Sequence, residues 1–169
     1  MRAFAKGHAF QHIRNLKQLL LKGKSMSDNH TKEVRSYNMS RIRSKNTKPE
    51  EIVRKYLFSR GLRFRKNDKR YPGHPDIVLP KYKTIVFVNG CFWHSHEGCK
   101  DFVVPKSNPE YCVPKLKRNQ FRDAANKMGL ENQGWNVIII WECELKKDVR
   151  HERLERLFKQ ITTGVSAVE

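Results

Sequence analysis

Long apolar runs are missing from this sequence. No stretch approaches 18 consecutive apolar residues, which excludes a transmembrane helix. Acidic residues are scarce: 17 Asp and Glu stand against 35 Lys and Arg in 169 residues, a formal charge of +18. That imbalance points to a polyanionic partner, with nucleic acid ahead of an anionic membrane surface. The bland alternative is a merely basic protein, such as a ribosome-associated factor. Cysteine is sparse too: Cys91, Cys99, Cys112 and Cys143. An even count allows two disulfides, but the basic start offers no clean apolar run or small-residue cleavage site. The reading is therefore a soluble chain of a reducing cytosol, where metal ligation or free thiols are expected. Internal repeats are absent. Hydrophobic content is low at 38%, yet 10% aromatic residues, with three Trp and nine Phe, argue against global disorder. A chain of this length holds one domain, or one domain plus a tail, and buries a core without disulfide staples.

Residues 1–35 read as a basic N-terminal extension and residues 36–169 as the folded domain. Through Ser27 the extension holds six basic residues and no acidic one. Phe10, Ile13, Leu16, Leu19 and Leu20 fall at helical spacing, so it is a short amphipathic helix or a loosely attached tail. Met26 stands as an alternative start. Arg35 to Lys48 is a second basic run, with a short helix or arm over 37–44. Thr47-Lys48-Pro49-Glu50 is a capping box with Pro in the first turn, so a helix begins there. Ile52, Val53, Tyr56, Leu57 and Phe58 form its buried stripe and Gly61 ends it. A strand is expected over 62–66, a rigid turn over 71–75, and a hairpin of strands 76–79 and 84–89. Residues 90–114 lack a clean period and read as a functional loop. A helix is predicted over 115–132 with Leu116, Phe121, Ala124, Ala125 and Met128 inward. The nearly all-apolar 135–141 predicts a central strand covered on both faces. Asp148 caps a last helix through 161, with Val149, Leu154, Leu157 and Phe158 inward. This order is α/β or α+β with a mixed sheet.

Chemistry concentrates in two places. Cys91, His94, His96 and Cys99 are zinc-ligand types within nine residues, and Cys143 directly follows the central strand. Three thiolates plus one histidine make a closed structural site, for which His94 and His96 compete. A loop of about 25 residues in a compact domain needs such a clamp. The bland reading is buried free cysteines with surface histidines. Asp76 opens the hairpin and is expected roughly opposite Val88 or Asn89. A carboxylate facing a carbonyl and an amide offers hard oxygens that suit Mg2+; otherwise Asp76 is a turn residue after Pro75. His94 lies close enough in sequence to act as acid or base. The capping box alone accounts for Glu50, and His74 is a turn residue or phosphate contact.

Pro72-Gly73-His74-Pro75-Asp76, Phe87-Val88-Asn89-Gly90-Cys91-Phe92-Trp93-His94 and Trp141-Glu142-Cys143 resemble the very short patch repair (Vsr) DNA mismatch endonucleases. Ser36-Tyr37-Asn38-Met39 and the segment from Thr47 to Leu62 fit the same pattern, so the resemblance covers about residues 35–145. It implies a restriction-endonuclease-like α/β fold, a mixed central sheet flanked by helices, with a structural zinc site. The implied activity is an Mg2+-dependent nick of one DNA strand, 5′ of the T in T:G mismatches left by 5-methylcytosine deamination. By resemblance, Asp76 is the Mg2+ carboxylate and the Val88 carbonyl a second ligand, with His94 the catalytic histidine and Glu50 a supporting acid. Cys91, His96, Cys99 and Cys143 hold Zn2+. Phe92 and Trp93 are wedges for the base stack, and Met39 inserts from the opposite groove. Arg41, Arg43 and Lys45 supply backbone contacts. Mismatch-repair proteins and a cognate cytosine methyltransferase system are the implied partners, a monomer acting on double-stranded DNA is the default, and no membrane is involved.

Three positions depart from the family pattern. Asn89 stands where the best-known members carry a catalytic histidine, and an amide orients water or binds phosphate but is no base. Cys112 takes the place of a third wedge aromatic, with Tyr111 beside it. Cys99 is displaced by one residue, absorbed at Gly98. These departures keep two alternatives open: a restriction-type endonuclease cutting matched or methylated DNA, and a zinc-stabilised DNA-binding module without catalysis.

Overall fold

The computed structural model describes residues 31–42, 45–103 and 108–163. The amphipathic helix expected within 10–20, and Arg43, lie outside them. Helix α1 (Lys32–Ser40) is capped by Thr31, whose hydroxyl accepts from the Val34 N–H. It starts earlier than the arm expected at 37–44. Helix α2 (Lys48–Ser59) begins at the expected capping box: the Glu50 carboxylate accepts from the Thr47 N–H at 3.2 Å. Val53 and Leu57 are fully buried, with Ile52 and Tyr56 half-buried. Phe58, expected in that stripe, is instead exposed beneath the Arg63 guanidinium, 4.4 Å from its ring. Past the helix end, Gly61 turns at φ +82°, a conformation that favours a residue without Cβ.

Strands β1 (Arg65–Lys66), β2 (Ile77–Leu79), β3 (Thr84–Asn89) and β4 (Asn136–Trp141) form one sheet in chain order. The β1–β2 and β2–β3 pairs are antiparallel and β3–β4 is parallel, so the sheet is mixed, and β4, expected as a central strand, lies at its edge among the described residues. Only two of the five residues expected in the first strand pair, and both point into solvent, as suits an edge. The alternation of the strands splits the core. Ile77, Leu79, Val86, Ile138 and Ile140 pack with α2 and with helix α4 (Arg150–Thr163) on one face. Val78 and Ile85 pack with Leu130 of helix α3 (Pro109–Asn132) on the other. The result is an α/β sandwich with helices on both faces of the sheet.

Two helices differ from expectation. α3 starts six residues early because Pro109 suits a first turn, and Pro114 in its second turn forfeits one backbone bond without ending it. Its inward stripe is also on the other side. Phe121, Ala124, Ala125 and Met128 face solvent, and only Leu116 and Leu130 are buried. The inner face is polar because it walls a cleft: Asn119 donates to the Trp93 carbonyl, and Asp123 meets His94. α4 starts at Arg150 rather than after an Asp148 cap, which leaves Val149 exposed while Leu154 and Leu157 are buried. No helix among the described residues is long and apolar enough to cross a membrane.

Candidate active site

Asp76 emerges from the turn Pro72-Gly73-His74-Pro75 at the mouth of β2. Gly73 has φ +77°, and a Cβ there would lie 2.9 Å from the Asn126 amide and 3.2 Å from the Phe87 ring, so the turn is pressed against α3. Ile77 pairs with Val86, which sets Asp76 one step beyond, against Phe87. Its side chain still reaches the expected neighbour, since Asp76 Oδ2 accepts from the Val88 N–H at 2.7 Å. Oδ1 has no hydrogen-bond partner among the described residues. Burial pushes the Asp76 carboxyl up to about 6. The Val88 N–H opposes this, the charge of Glu50 reinforces it, and Arg54 and His94 pull it down. A carboxylate pushed up by burial, with one oxygen open, fits a divalent cation, which repays its desolvation.

Across the cleft, His94 Nδ1 meets Asp123 Oδ2 at 2.5 Å. With Nδ1 donating to that carboxylate, Nε2 keeps its lone pair for a proton, the arrangement of an oriented general base. Asp123 did not emerge from the sequence. Its partner lies 29 positions away, and the only local signal is the polar spacing of Asn119, Asp123 and Asn126 on one helix face. Asp76, Val88, Asn89, His94, Asp123 and Glu50 line one cleft of about 900 Å³. Asn89 is buried at the end of β3, paired with Trp141 in register. Glu50 is buried too, and its carboxylate is fully engaged: Oε1 accepts from the N–H and hydroxyl of Thr47, and Oε2 from the Asn46 N–H and Arg54. Met39 and Lys45 line the cleft from the α1 side. Arg41 does not; its guanidinium lies 5.0 Å from the Tyr37 ring.

The Cys/His cluster begins two residues past β3. Ligand atoms of Cys91, His96, Cys99 and Cys143 all lie within 4.8 Å of one another, so the four can hold a metal ion. Cys91 Sγ is 3.6 Å and Cys143 Sγ 3.4 Å from His96 Nδ1. A tetrahedron with metal–ligand bonds of about 2.0–2.3 Å has edges of about 3.3–3.8 Å, which these two distances match. Burial pushes the Cys91 thiol up to about 12 and raises Cys143 as well, which a bound cation reverses by replacing the protons. The His96 ring stacks on Trp141 at 4.0 Å, fixing its orientation. His94, the competitor for this position, points to Asp123 instead.

Between the two sites, Phe92 and Trp93 are half-buried and meet edge to face at 5.0 Å. The Lys115 ammonium lies 5.1 Å from the Trp93 ring and 5.6 Å from that of Tyr111, which joins the exposed first turn of α3 to the same aromatic group. Lys45, Lys69, Arg122 and Lys127 line the cleft beside a carboxylate and a carboxylate-backed imidazole, a combination that suits a phosphodiester backbone.

Comparison with known proteins agrees. The family model described as DNA mismatch endonuclease Vsr matches residues 27–101, a span that includes Glu50, Asp76, His94 and three of the four cluster residues. The type II nicking enzyme V.NmeAIP of Neisseria meningitidis is 52% identical over 141 residues, covering 83% of this chain and 100% of its own. The type II nicking enzyme V.XorIIP of Xanthomonas oryzae is 47% identical over 120 residues, covering 71% of this chain and 88% of its own. The DNA mismatch endonuclease Vsr of Escherichia coli is 40% identical over 121 residues, covering 72% and 77%. Identity at this level, over most of each relative's length, makes this chain a DNA endonuclease and a member of the DNA mismatch endonuclease Vsr family.

Proposed function

We propose that this chain nicks one strand of double-stranded DNA 5′ of the T in a T:G mismatch, within a restriction-endonuclease-like core clamped by Zn2+. The observation that carries the reading is the single cleft shared by Asp76 and the Asp123-backed His94. Asp76 and the Val88 carbonyl would hold Mg2+, which when bound supplies charge stabilisation at the scissile phosphate. His94 Nε2 takes the proton of the attacking water, and Asp123 keeps the ring oriented and stabilises the imidazolium. Asn89 orients water or a phosphate oxygen through its amide. Glu50 supports the site from behind, through its charge and its contact with Arg54. Cys91, His96, Cys99 and Cys143 hold Zn2+ and so fix the loop that carries His94.

Phe92 and Trp93 wedge into the base stack, where a mismatched step is already weakly stacked and costs less to open. Met39 enters from the opposite groove, and Arg41, Arg43 and Lys45 bind the backbone. Action by a monomer in the bacterial cytosol, alongside mismatch-repair proteins and a cytosine methyltransferase, completes the proposal. Asn89 and Cys112 favour one second reading, a restriction-type enzyme for matched DNA.

End-labelled duplexes identical except for one T:G or T:A pair test both readings with purified protein and Mg2+. A single nick 5′ of the mismatched T is expected. Equal cleavage of the two duplexes would favour the second reading, and retention of DNA without any scission would leave only a binding module.

A further inference from the structure

Arg54 is a cation where a helix interior has little use for one. It lies in the second turn of α2, is 7% exposed, and stands four residues after Glu50. A buried guanidinium is costly unless its donors are filled, and the fold supplies acceptors to two of its three nitrogens. Nη1 donates to Asn46 Oδ1 at 2.9 Å. Nη2 donates to Asn67 Oδ1 and to the Asp76 carbonyl, each at 3.0 Å, and pairs with Glu50 Oε2 at 2.8 Å. Only Nε lacks a partner. One planar group thus joins the turn before α2, α2 itself, the chain beyond β1, and the residue that opens β2.

Both asparagines that receive it sit at turns. Asn46 has φ +52° and Asn67 φ +47°, the left-handed region that asparagine tolerates best after glycine, and each presents its side-chain oxygen to Arg54. Asn67 also donates its backbone N–H to the Asp76 carbonyl at 3.4 Å, so that carbonyl is held from two sides. Glu50, with both oxygens engaged, has its strongest outward link in Arg54.

We propose that Arg54 is a positioning residue for the cleavage reaction: with Glu50, Asn46 and Asn67 it fixes the Asp76 backbone and so sets where the Asp76 carboxylate stands relative to Val88 and His94. Glu50 acts through Arg54 rather than by touching the cation or the phosphate. The inference rests on the reading of Asp76 as the cation-binding carboxylate. A lysine keeps the charge but is a point donor that cannot serve four acceptors in one plane, so Arg54→Lys is the informative change.

The test is Mn2+ binding without DNA, read from the spin resonance signal of free Mn2+, together with nicking rate, DNA affinity and zinc content. Arg54→Lys should retain zinc and DNA affinity, weaken Mn2+ binding about tenfold and slow nicking about a hundredfold. Asn67→Ala, which leaves the charges intact, should weaken Mn2+ binding about threefold and covers the case in which Arg54→Lys does not fold. Wild-type Mn2+ affinity and nicking in Asn67→Ala and in a folded Arg54→Lys would overturn the inference, whatever happens to thermal stability. Asp76→Ala separates the two readings: if it binds Mn2+ like the wild type, the assignment of the cation to Asp76 fails; if it loses binding while the Arg54 and Asn67 variants keep it, the positioning role fails.

Discussion

The end of β3 feeds two sites built on opposite plans. Val88 and Asn89 border a cleft with one cation-competent carboxylate, one open oxygen and room for a substrate. Two residues on, Cys91 opens a cluster of three thiols and one imidazole that already lie within 4.8 Å of one another. The cluster takes all four of its donors from the chain itself, whereas the cleft, on the proposed reading, would be completed by a phosphate and a cation. Closed coordination is what a structural metal needs, and open coordination is what catalysis needs. The difference teaches a division of labour: on the proposed reading, a metal held by the cluster would fix the loop bearing His94 and leave the cleft open. His96 turned toward the sulfurs and His94 turned toward Asp123 divide that loop between the two.

The largest effect expected from separating them is on the closed site. Cys143→Ser should lose zinc and destabilise the fold by several kcal/mol, on the order of a broken structural site; unchanged zinc stoichiometry by atomic absorption would show that the fourth ligand is misassigned. On the open site, Asp123→Asn should slow nicking by about 10²–10⁴-fold with zinc and fold intact. A single-turnover rate equal to wild type would remove Asp123 from the mechanism. The two sides of α3 provide a third contrast. Leu130→Ala should destabilise by about 2–5 kcal/mol, whereas Phe121→Ala should stay within about 0.5 kcal/mol in urea unfolding. A large loss at Phe121 would contradict its exposed position.

The smallest effect is the pH dependence. The folded Asp76 carboxyl titrates near 6, above its ordinary 3.8, so the folded state holds this proton more tightly than the unfolded chain. Metal-free protein should therefore gain stability from this group as pH falls from about 6 toward 4. Mg2+ competes for the ionised form, so its half-saturation for nicking should climb over the same range. A half-saturation flat between pH 7 and 5 would contradict the burial argument.

These contrasts also explain what the sequence revealed. The three thiols were legible because Cys91 and Cys99 share a short histidine-bearing loop and Cys143 follows a strand, whereas the choice of His96 over His94 came only from the family resemblance. The helix start at Thr47 and the strand at 84–89 were legible because capping and apolar patterning are local. Asp123 was not, because a carboxylate on the polar stripe of a helix reads as solvated until the strand opposite is known. The same blindness reversed α3: Phe121, Ala124, Ala125 and Met128 have the period of a buried face, but the face turned inward is the one that must stay polar to wall the cleft. Arg54 was hidden in the same way, since an arginine four residues after a glutamate is ordinarily a surface pair.

The most direct measurement of the account is Asp76→Ala in one preparation, assayed for nicking of a T:G duplex, zinc content and thermal unfolding. Independent sites predict no detectable nick, one zinc per chain and an unfolding midpoint at or above that of the wild type, since a buried carboxylate is removed. Nicking that survives, or zinc lost along with activity, would show that the cleft and the cluster do not divide catalysis and stability as described.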